Sequence, residues 1–169
     1  MMLKRGWSIK DILKEIAVTL ALLFVVSSVL NYIRQPKIEE TIYDYKLRDI
    51  EGKIVDFHHY KGKPLVVHFW GIWCPTCRFE ASNIDAISKE YAVVTIAVNS
   101  GTDESIEKFL KNNALSYRVV NDQMGTLAKA FNIEVYPTTL LYNSKGELKY
   151  VEVGYTSTLG LKARLELLN

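Results

Sequence analysis

The sequence predicts a mixed α/β domain preceded by one apolar helix. Two observations lead to this fold class. Residues 16–33 form an uncharged, mostly apolar run, and the chain after it alternates short β-branched runs with segments of helical spacing. The 169 residues, of which 49% are hydrophobic and 24% charged, suffice for one folded core and one appendage. This size excludes a large multidomain enzyme.

The run at residues 16–33 reads IAVTLALLFVVSSVLNYI. As a helix it would span roughly 27 Å, which is close to the thickness of a bilayer core. Four basic residues precede it, namely Lys4, Arg5, Lys10 and Lys14. The positive-inside bias therefore predicts a cytoplasmic N-terminus (residues 1–15), a single transmembrane anchor (residues 16–33) and, for the rest of the chain, a location on the periplasmic side of the inner membrane.

Two other interpretations of this run are a buried core helix and a cleaved signal peptide. Val26 and Ser28 could occupy the −3 and −1 positions of a processing site. The run is longer than the apolar region of a typical cleaved signal and lacks an A-x-A end, which favours the anchor. An anchor and a signal peptide alike predict that the folded domain is exported.

A polar linker at residues 34–40 leads into a domain at residues 41–169. Its first elements are a hairpin around Glu51-Gly52, with strands at 43–47 and 53–57. Strand, helix, strand and helix then follow at 65–70, 75–91, 93–98 and 104–112, and this order predicts parallel pairing. A short helix at 124–131, a hairpin at 138–142 and 147–153, and a last helix at 157–168 complete the domain.

The charge distribution argues against a nucleic-acid partner. The formal net charge is +2, and residues 1–36 hold five Lys or Arg against two Asp or Glu. Residues 37–169 are therefore slightly acidic as a group. A domain that binds nucleic acid usually presents a basic face.

Cys74 and Cys77 lie where a predicted buried strand ends and a predicted helix begins, in the segment Trp73-Cys74-Pro75-Thr76-Cys77. With Cys74 as the N-cap and Pro75 as the first helical residue, the two sulfurs are within reach of a disulfide. The helix dipole and free amides would stabilise a Cys74 thiolate. We therefore expect Cys74 to be the nucleophile and Cys77 the resolving thiol.

The alternatives are an inert stapling disulfide or half of a metal site. So small a loop removes little entropy from the unfolded chain, which disfavours a purely structural bridge. A zinc site needs two more ligands, and the histidines His58, His59 and His68 come without a second C-x-x-C. The runner-up function is a membrane-tethered module that holds a soft ion such as Cu(I) between the two thiolates. We expect neither a metal nor a cofactor.

Pro137 enters a predicted strand in the segment Val135-Tyr136-Pro137-Thr138-Thr139. A proline interrupts the strand ladder, so this position needs special geometry. A cis peptide bond is one possibility, although local sequence alone favours a trans proline at a sheet edge.

The segment from Phe69 to Cys77, together with Tyr136-Pro137-Thr138, resembles the thioredoxin superfamily. The turn at 49–53 and the lead-in at 61–64 are similar to its membrane-anchored TlpA-like branch, and to the ScsD-like (suppressor for copper sensitivity D) protein disulfide oxidoreductases. The resemblance covers residues 41–169. It implies a thioredoxin-like fold, with a central mixed β-sheet flanked by helices and an N-terminal β-hairpin extension.

The resemblance also implies roles for individual residues. Cys74 and Cys77 would form a redox-active disulfide beside a cis Pro137, and Trp73, Tyr136 and Pro137 would contact substrate. Glu80 matches an acidic residue with which the family tunes its cysteines or shuttles protons; the alternative is an ordinary charge in the first helical turn.

His68 stands where cytoplasmic thioredoxins carry a buried aspartate. It could tune the pKa of the thiols, or it could be a satisfied core histidine.

The expected function is thus that of a membrane-tethered thiol-disulfide oxidoreductase. Its partners would be cysteine-containing exported proteins and a membrane electron donor or acceptor for the thiols.

Overall fold

The computed structural model describes residues 9–33 and 42–168. The chain divides into two compact units, Met1–Arg34 and Gln35–Asn169. The first contains helix α1, Ile9–Ile33. Among the described residues, no helix has a stretch both apolar and long enough to cross a membrane. The predicted linker, residues 34–40, lies outside the described part of the chain, as do residues 1–8 and several side chains of the predicted anchor.

Two sheets are formed within residues 42–168. The strands are β1 (Lys46–Arg48), β2 (Ile54–Asp56), β3 (Leu65–Trp70), β4 (Ala92–Val98), β5 (Val119–Asp122), β6 (Thr138–Tyr142) and β7 (Leu148–Val153). Strands β1 and β2 pair as an antiparallel hairpin, and the other five form a sheet in the order β5-β4-β3-β6-β7. Pairing is parallel between β3, β4 and β5 and antiparallel between β3, β6 and β7. The sheet is therefore mixed, as the sequence led us to expect.

Strand β3 occupies the centre of this sheet, and each of its six residues is buried. Successive side chains of a strand point to opposite faces, so β3 supplies both layers of the core. Leu65, Val67 and Phe69 pack in one cluster, while Val66 and Trp70 pack in the other with the two cysteines. The run of apolar residues in the sequence reflects this burial on both faces.

The remaining helices are α2 (Pro75–Ser88), α3 (Asp103–Asn112), α4 (Thr126–Ala130) and α5 (Thr158–Glu166). Side-chain caps begin three of them: Cys74, Thr102 and Ser157 each accept a hydrogen bond from a backbone amide of the first turn. Helix α2 packs on α5. The crossover through α2 returns the chain to β4 beside β3, as predicted from the strand and helix order.

The hairpin strands are shorter than predicted: β1 begins at Lys46 instead of residue 43 and ends at Arg48, and β2 spans Ile54–Asp56 instead of 53–57. Residues Phe57–Tyr60 form a 3₁₀ helix, because Asp56 caps it by accepting a hydrogen bond from His58 N at 2.9 Å. The histidine pair His58-His59 thus lies in this 3₁₀ helix. Strand β5 was not predicted at all; it is a four-residue edge strand.

Helix α4 depends on a side chain from outside the helix. Its N-cap is Gly125, which has a left-handed backbone conformation and no side chain to donate or accept a bond. Asp122, at the end of β5, takes this function: its carboxylate accepts hydrogen bonds from Ala128 N at 2.9 Å and from Thr126 Oγ1 at 3.2 Å. Asp122 is itself buried. Its charge is therefore satisfied at the start of α4.

Replacing Asp122 with alanine should destabilise the domain by about 1–3 kcal/mol, because a buried amide and a hydroxyl lose their acceptor. Urea unfolding followed by circular dichroism measures the change. Gln123→Ala is the matched control, since Gln123 is adjacent and exposed. Equal midpoints for the two variants would show that Asp122 does not hold α4.

Candidate active site

The end of β3 and the start of α2 bring the two cysteines together. Cys74 is the N-cap of α2, and Pro75 follows at the start of the helix. The Cys77 amide donates a hydrogen bond to Cys74 Sγ over 3.2 Å. A disulfide joins the two residues, whose Cα atoms are 5.3 Å apart. Cys74 is 5% exposed and Cys77 1%, so the outer sulfur is that of Cys74.

Strand β6 carries a second segment to the cysteines, because it pairs antiparallel with β3. The Tyr136–Pro137 peptide bond just before β6 is cis, in agreement with the resemblance. The carbonyl oxygen of Tyr136 lies 3.7 Å from Cys74 Sγ. The segment is held on both sides: Thr138 Oγ1 donates to Val135 O at 2.7 Å, and Gly154 N donates to Pro137 O at 2.8 Å.

Trp73, the residue before Cys74, has a side chain that is partly exposed to solvent. Its side chain is 52% exposed, and its indole Nε1 donates a hydrogen bond to Val98 O at 3.0 Å. The ring meets the Tyr136 ring edge-on, with centroids 5.4 Å apart. A Cβ at position 71 would lie 2.5 Å from this Nε1, so glycine at that position leaves room for the indole. Trp73 and Tyr136 are therefore fixed as a pair next to the disulfide.

His68 is buried on the same face of β3 as Val66 and Trp70. Its Nδ1 and Thr139 Oγ1 form a hydrogen bond of 2.9 Å. Burial lowers the pKa of His68 to about 3, so the imidazole is neutral at neutral pH. Any influence of His68 on the thiols would thus be that of a neutral, hydrogen-bonded ring and not of a positive charge.

Glu80 lies one helical turn beyond Cys77, and its side chain is fully buried. Its Oε1 accepts a hydrogen bond from Thr156 N at 2.7 Å, whereas its Oε2 has no hydrogen-bond partner among the described atoms. Burial raises the pKa of Glu80 to about 7, although the bond from Thr156 lowers it. A carboxyl group that titrates near neutral pH can both give and take a proton.

Three residues of this site escaped the sequence analysis: Asn83, Tyr155 and Thr156. Asn83 is one turn after Glu80 and holds the segment after β7 through hydrogen bonds to Tyr155 Oη and Thr156 O, each of 3.1 Å. Helical spacing from Cys77 and Glu80 could have indicated Asn83. The loop that carries Tyr155 and Thr156 has no local pattern, so its contact with α2 is visible only in three dimensions.

The described residues contain no group of three or more His, Cys, Asp or Glu side chains placed to bind a metal ion.

A family model described as "AhpC/TSA family" matches residues 38–151. This chain belongs to the AhpC/TSA family. A thioredoxin-like protein of Haemophilus influenzae is 37% identical over 160 residues, covering 93% of this chain and 95% of the relative. The thiol-disulfide oxidoreductase ResA of Halalkalibacterium halodurans is 30% identical over 169 residues, covering 98% and 96%.

A solved structure agrees in fold. The exposed lipoprotein thioredoxin Etrx1 of Streptococcus pneumoniae superposes with a TM-score of 0.64 at 25% identity, covering 73% of this chain and 98% of Etrx1. The thioredoxin-like fold is therefore confirmed, and so is the assignment to the thiol-disulfide oxidoreductases, whose Cys-X-X-Cys pair this chain carries.

Glu80→Gln should change how stability depends on pH. The folded-state pKa of about 7 lies above the ordinary 4.5, so the parent protein loses stability as pH rises between these values. Glutamine carries no charge and keeps an acceptor for Thr156. Relative to the parent, the variant should gain about 1–3 kcal/mol between pH 5 and pH 8, because each unit of pKa difference corresponds to about 1.36 kcal/mol.

Urea unfolding at both pH values measures this gain. Glu107→Gln, at an exposed position of α3, is the control and should leave the pH dependence unchanged. A Glu80→Gln profile parallel to that of the parent would contradict a buried carboxyl that titrates near neutral pH.

Proposed function

We propose that this protein is a membrane-tethered thiol-disulfide oxidoreductase that exchanges its Cys74–Cys77 pair with cysteines of exported proteins. The observation that carries the proposal is the position of Cys74 Sγ, at the N-cap of α2 and 3.7 Å from the carbonyl oxygen of Tyr136. This sulfur lies between an anion-stabilising helix start and a backbone segment that an extended peptide could follow.

The reaction begins with the reduced protein. The Cys74 thiolate attacks one sulfur of a substrate disulfide, which forms a mixed disulfide and releases one substrate thiolate. The Cys77 thiolate then attacks Cys74 Sγ, closing the enzyme disulfide and releasing the second substrate thiolate. The substrate gains two electrons, which the two enzyme sulfurs lose; the Cys77 thiol gives up its proton before it attacks, and the released substrate thiolates take up protons from water. The reverse sequence oxidises a substrate dithiol.

Three features support Cys74 as the attacking thiol. It is the more exposed sulfur of the pair, it accepts the Cys77 amide hydrogen bond, and the positive end of the α2 dipole lies next to it. Each of these features favours the thiolate form of Cys74 in the reduced protein. Cys77, inside the first turn, is the resolving thiol. Glu80, one turn further, acts as the proton shuttle for it.

Substrate would bind across Trp73, Tyr136 and Pro137. Trp73 offers an exposed apolar ring whose position is fixed by its bond to Val98, and the backbone at Tyr136 borders the reactive sulfur. A polypeptide bound there would bring its own cysteine to Cys74 through backbone contacts, which makes binding tolerant of side-chain sequence. Such tolerance suits an enzyme that acts on several exported proteins.

The membrane tether is supported by the sequence of residues 16–33, which lack charge, and by the basic residues before them. The same topology puts residues 41–169 outside the cytoplasm. The pneumococcal protein of similar structure is named an exposed lipoprotein. A membrane electron donor or acceptor would then return the Cys74–Cys77 pair to its starting redox state.

Cys74→Ser should lower reduction of insulin disulfides to the uncatalysed rate, since the attacking sulfur is gone. Cys77→Ala should instead accumulate a mixed disulfide with substrate, visible on non-reducing gels and by mass. The double variant, which has neither sulfur, is the control for non-specific adducts. Full activity of Cys74→Ser would remove Cys74 from its proposed role.

An impermeant maleimide should label the cysteines of the full chain in intact spheroplasts after reduction with an impermeant phosphine. The reason is that the proposed topology exposes the domain on the outer side of the membrane. The Cys74→Ser/Cys77→Ala double variant is the control, and the protein should stay with membranes after an alkaline wash. Labelling that requires lysis of the spheroplasts would contradict the topology.

A further inference from the structure

The loop between β7 and α5 is attached to α2 through one asparagine. Asn83 Nδ2 donates hydrogen bonds to Tyr155 Oη and to Thr156 O, both at 3.1 Å. Its Oδ1 accepts a hydrogen bond from Thr158 Oγ1, also at 3.1 Å. One half-buried amide therefore contacts three residues of the loop and of the α5 start.

The same loop supplies the hydrogen bond to Glu80. Thr156 N donates to Glu80 Oε1 at 2.7 Å, while Thr156 O accepts from Asn83. Glu80 and Asn83 are three residues apart on α2 and therefore lie on one face of the helix. Thr156 is thus held at both of its backbone polar groups, by two side chains one turn apart.

The ring of Tyr155, the residue before Thr156, also contacts α2. Phe79 and Tyr155 have ring centroids 5.4 Å apart, and Asn83 holds the Tyr155 hydroxyl. Thr156 itself is buried. The loop thus excludes water from Glu80, and the bonds of Asn83 fix the loop in that position.

We propose that Asn83 is a positioning residue that keeps the Thr156 segment closed over Glu80 and thereby controls the proton that Glu80 exchanges with the thiols. This inference rests on the proposed function, in which Glu80 serves the Cys74–Cys77 pair. Asn83 contacts neither sulfur in the structure; it acts through Thr156.

Loss of the Asn83 hydrogen bonds should lower the pKa of Glu80, because two opposing factors set that pKa. Burial raises its pKa, and the smaller influence of the Thr156 hydrogen bond lowers it. If the loop opens, both are lost together. Because burial is the larger, the pKa of Glu80 should then fall toward its ordinary value.

Charged groups around Glu80 do not change this direction. The charged side chains of α5 are each engaged elsewhere: Lys162 with Glu90, Arg164 with Glu152, and Glu166 with Tyr91. On β7, Glu152 is the partner of Arg164, and Lys149 pairs with Glu147 of the preceding turn. On the sheet beneath α2, strand β4 has no ionisable side chain and β3 contributes His68, which is neutral. On α2 itself, Arg78 is exposed to solvent and Asp85 pairs with Lys89. Tyr155, the residue before Thr156, is hydrogen-bonded to Asn83.

The test is a direct titration of Glu80 in the full chain, in detergent micelles and in the oxidised form, whose disulfide does not titrate. Carbon-13 NMR follows the Glu80 carboxyl carbon, assigned by its loss in Glu80→Gln. In the parent the midpoint should lie near 7. In Asn83→Ala it should fall by about one pH unit or more. An unmoved midpoint in folded Asn83→Ala protein overturns the proposal.

Two further variants complete the design. Asn113→Ala is the matched control, because Asn113 donates a comparable bond to Phe109 O at 2.8 Å on α3; its Glu80 midpoint should equal that of the parent. Thr158→Val removes one of the three bonds and keeps the shape of the side chain. It should lower the midpoint less than Asn83→Ala, and it decides the question if Asn83→Ala does not fold: an unmoved midpoint then counts against the proposal.

Thiol exchange by the reduced protein separates this inference from the function on which it rests. The pH profile of exchange should shift in Asn83→Ala in the same direction as the Glu80 titration. A moved titration with an unshifted profile refutes the link between Asn83 and thiol chemistry. Absence of exchange in the parent refutes the proposed function and leaves the titration result to stand by itself.

Discussion

The hydrogen bond from the Cys77 amide to Cys74 Sγ is the contact on which the site depends. It exists because only residues 71–74 separate the end of the central strand β3 from the start of α2, and the last of them, Cys74, caps the helix with a sulfur in place of the usual oxygen. A buried strand on one side and a helix on the other leave this sulfur little freedom. The other residues of the site, Trp73 and Tyr136, lie next to this sulfur.

The mixed strand pairing of the sheet positions Trp73 and Tyr136 beside the disulfide. Parallel pairing of β3 with β4 returns the chain so that Val98 O meets the Trp73 indole, and antiparallel pairing with β6 brings Tyr136 to the sulfur. The segments that contain Cys74 and Tyr136, about sixty residues apart in sequence, thereby meet at the Cys74 sulfur. An all-parallel arrangement would have required a long crossover before β6 instead of its direct antiparallel pairing.

Sequence predicts the parts of this structure that local chemistry controls. Strands β3 and β6 were predicted with their exact bounds, because runs such as LVVHFW are buried on both faces. The cap at Cys74 followed from the proline after it. Strand β5 was missed because its four residues have no alternation and are strands only through pairing with β4. The Thr156 contact with Glu80 was missed because 76 residues separate the partners.

The hairpin β1–β2 affects the sheet in another way. Asp49 forms a bridge with Val120, and Ile50 N donates to Val119 O at 3.0 Å, so the segment between the hairpin strands lies along the free side of β5. Exposed strand edges recruit foreign chains and nucleate aggregates. The hairpin segment therefore covers the β5 edge of the sheet, which would otherwise be open to pairing with another chain.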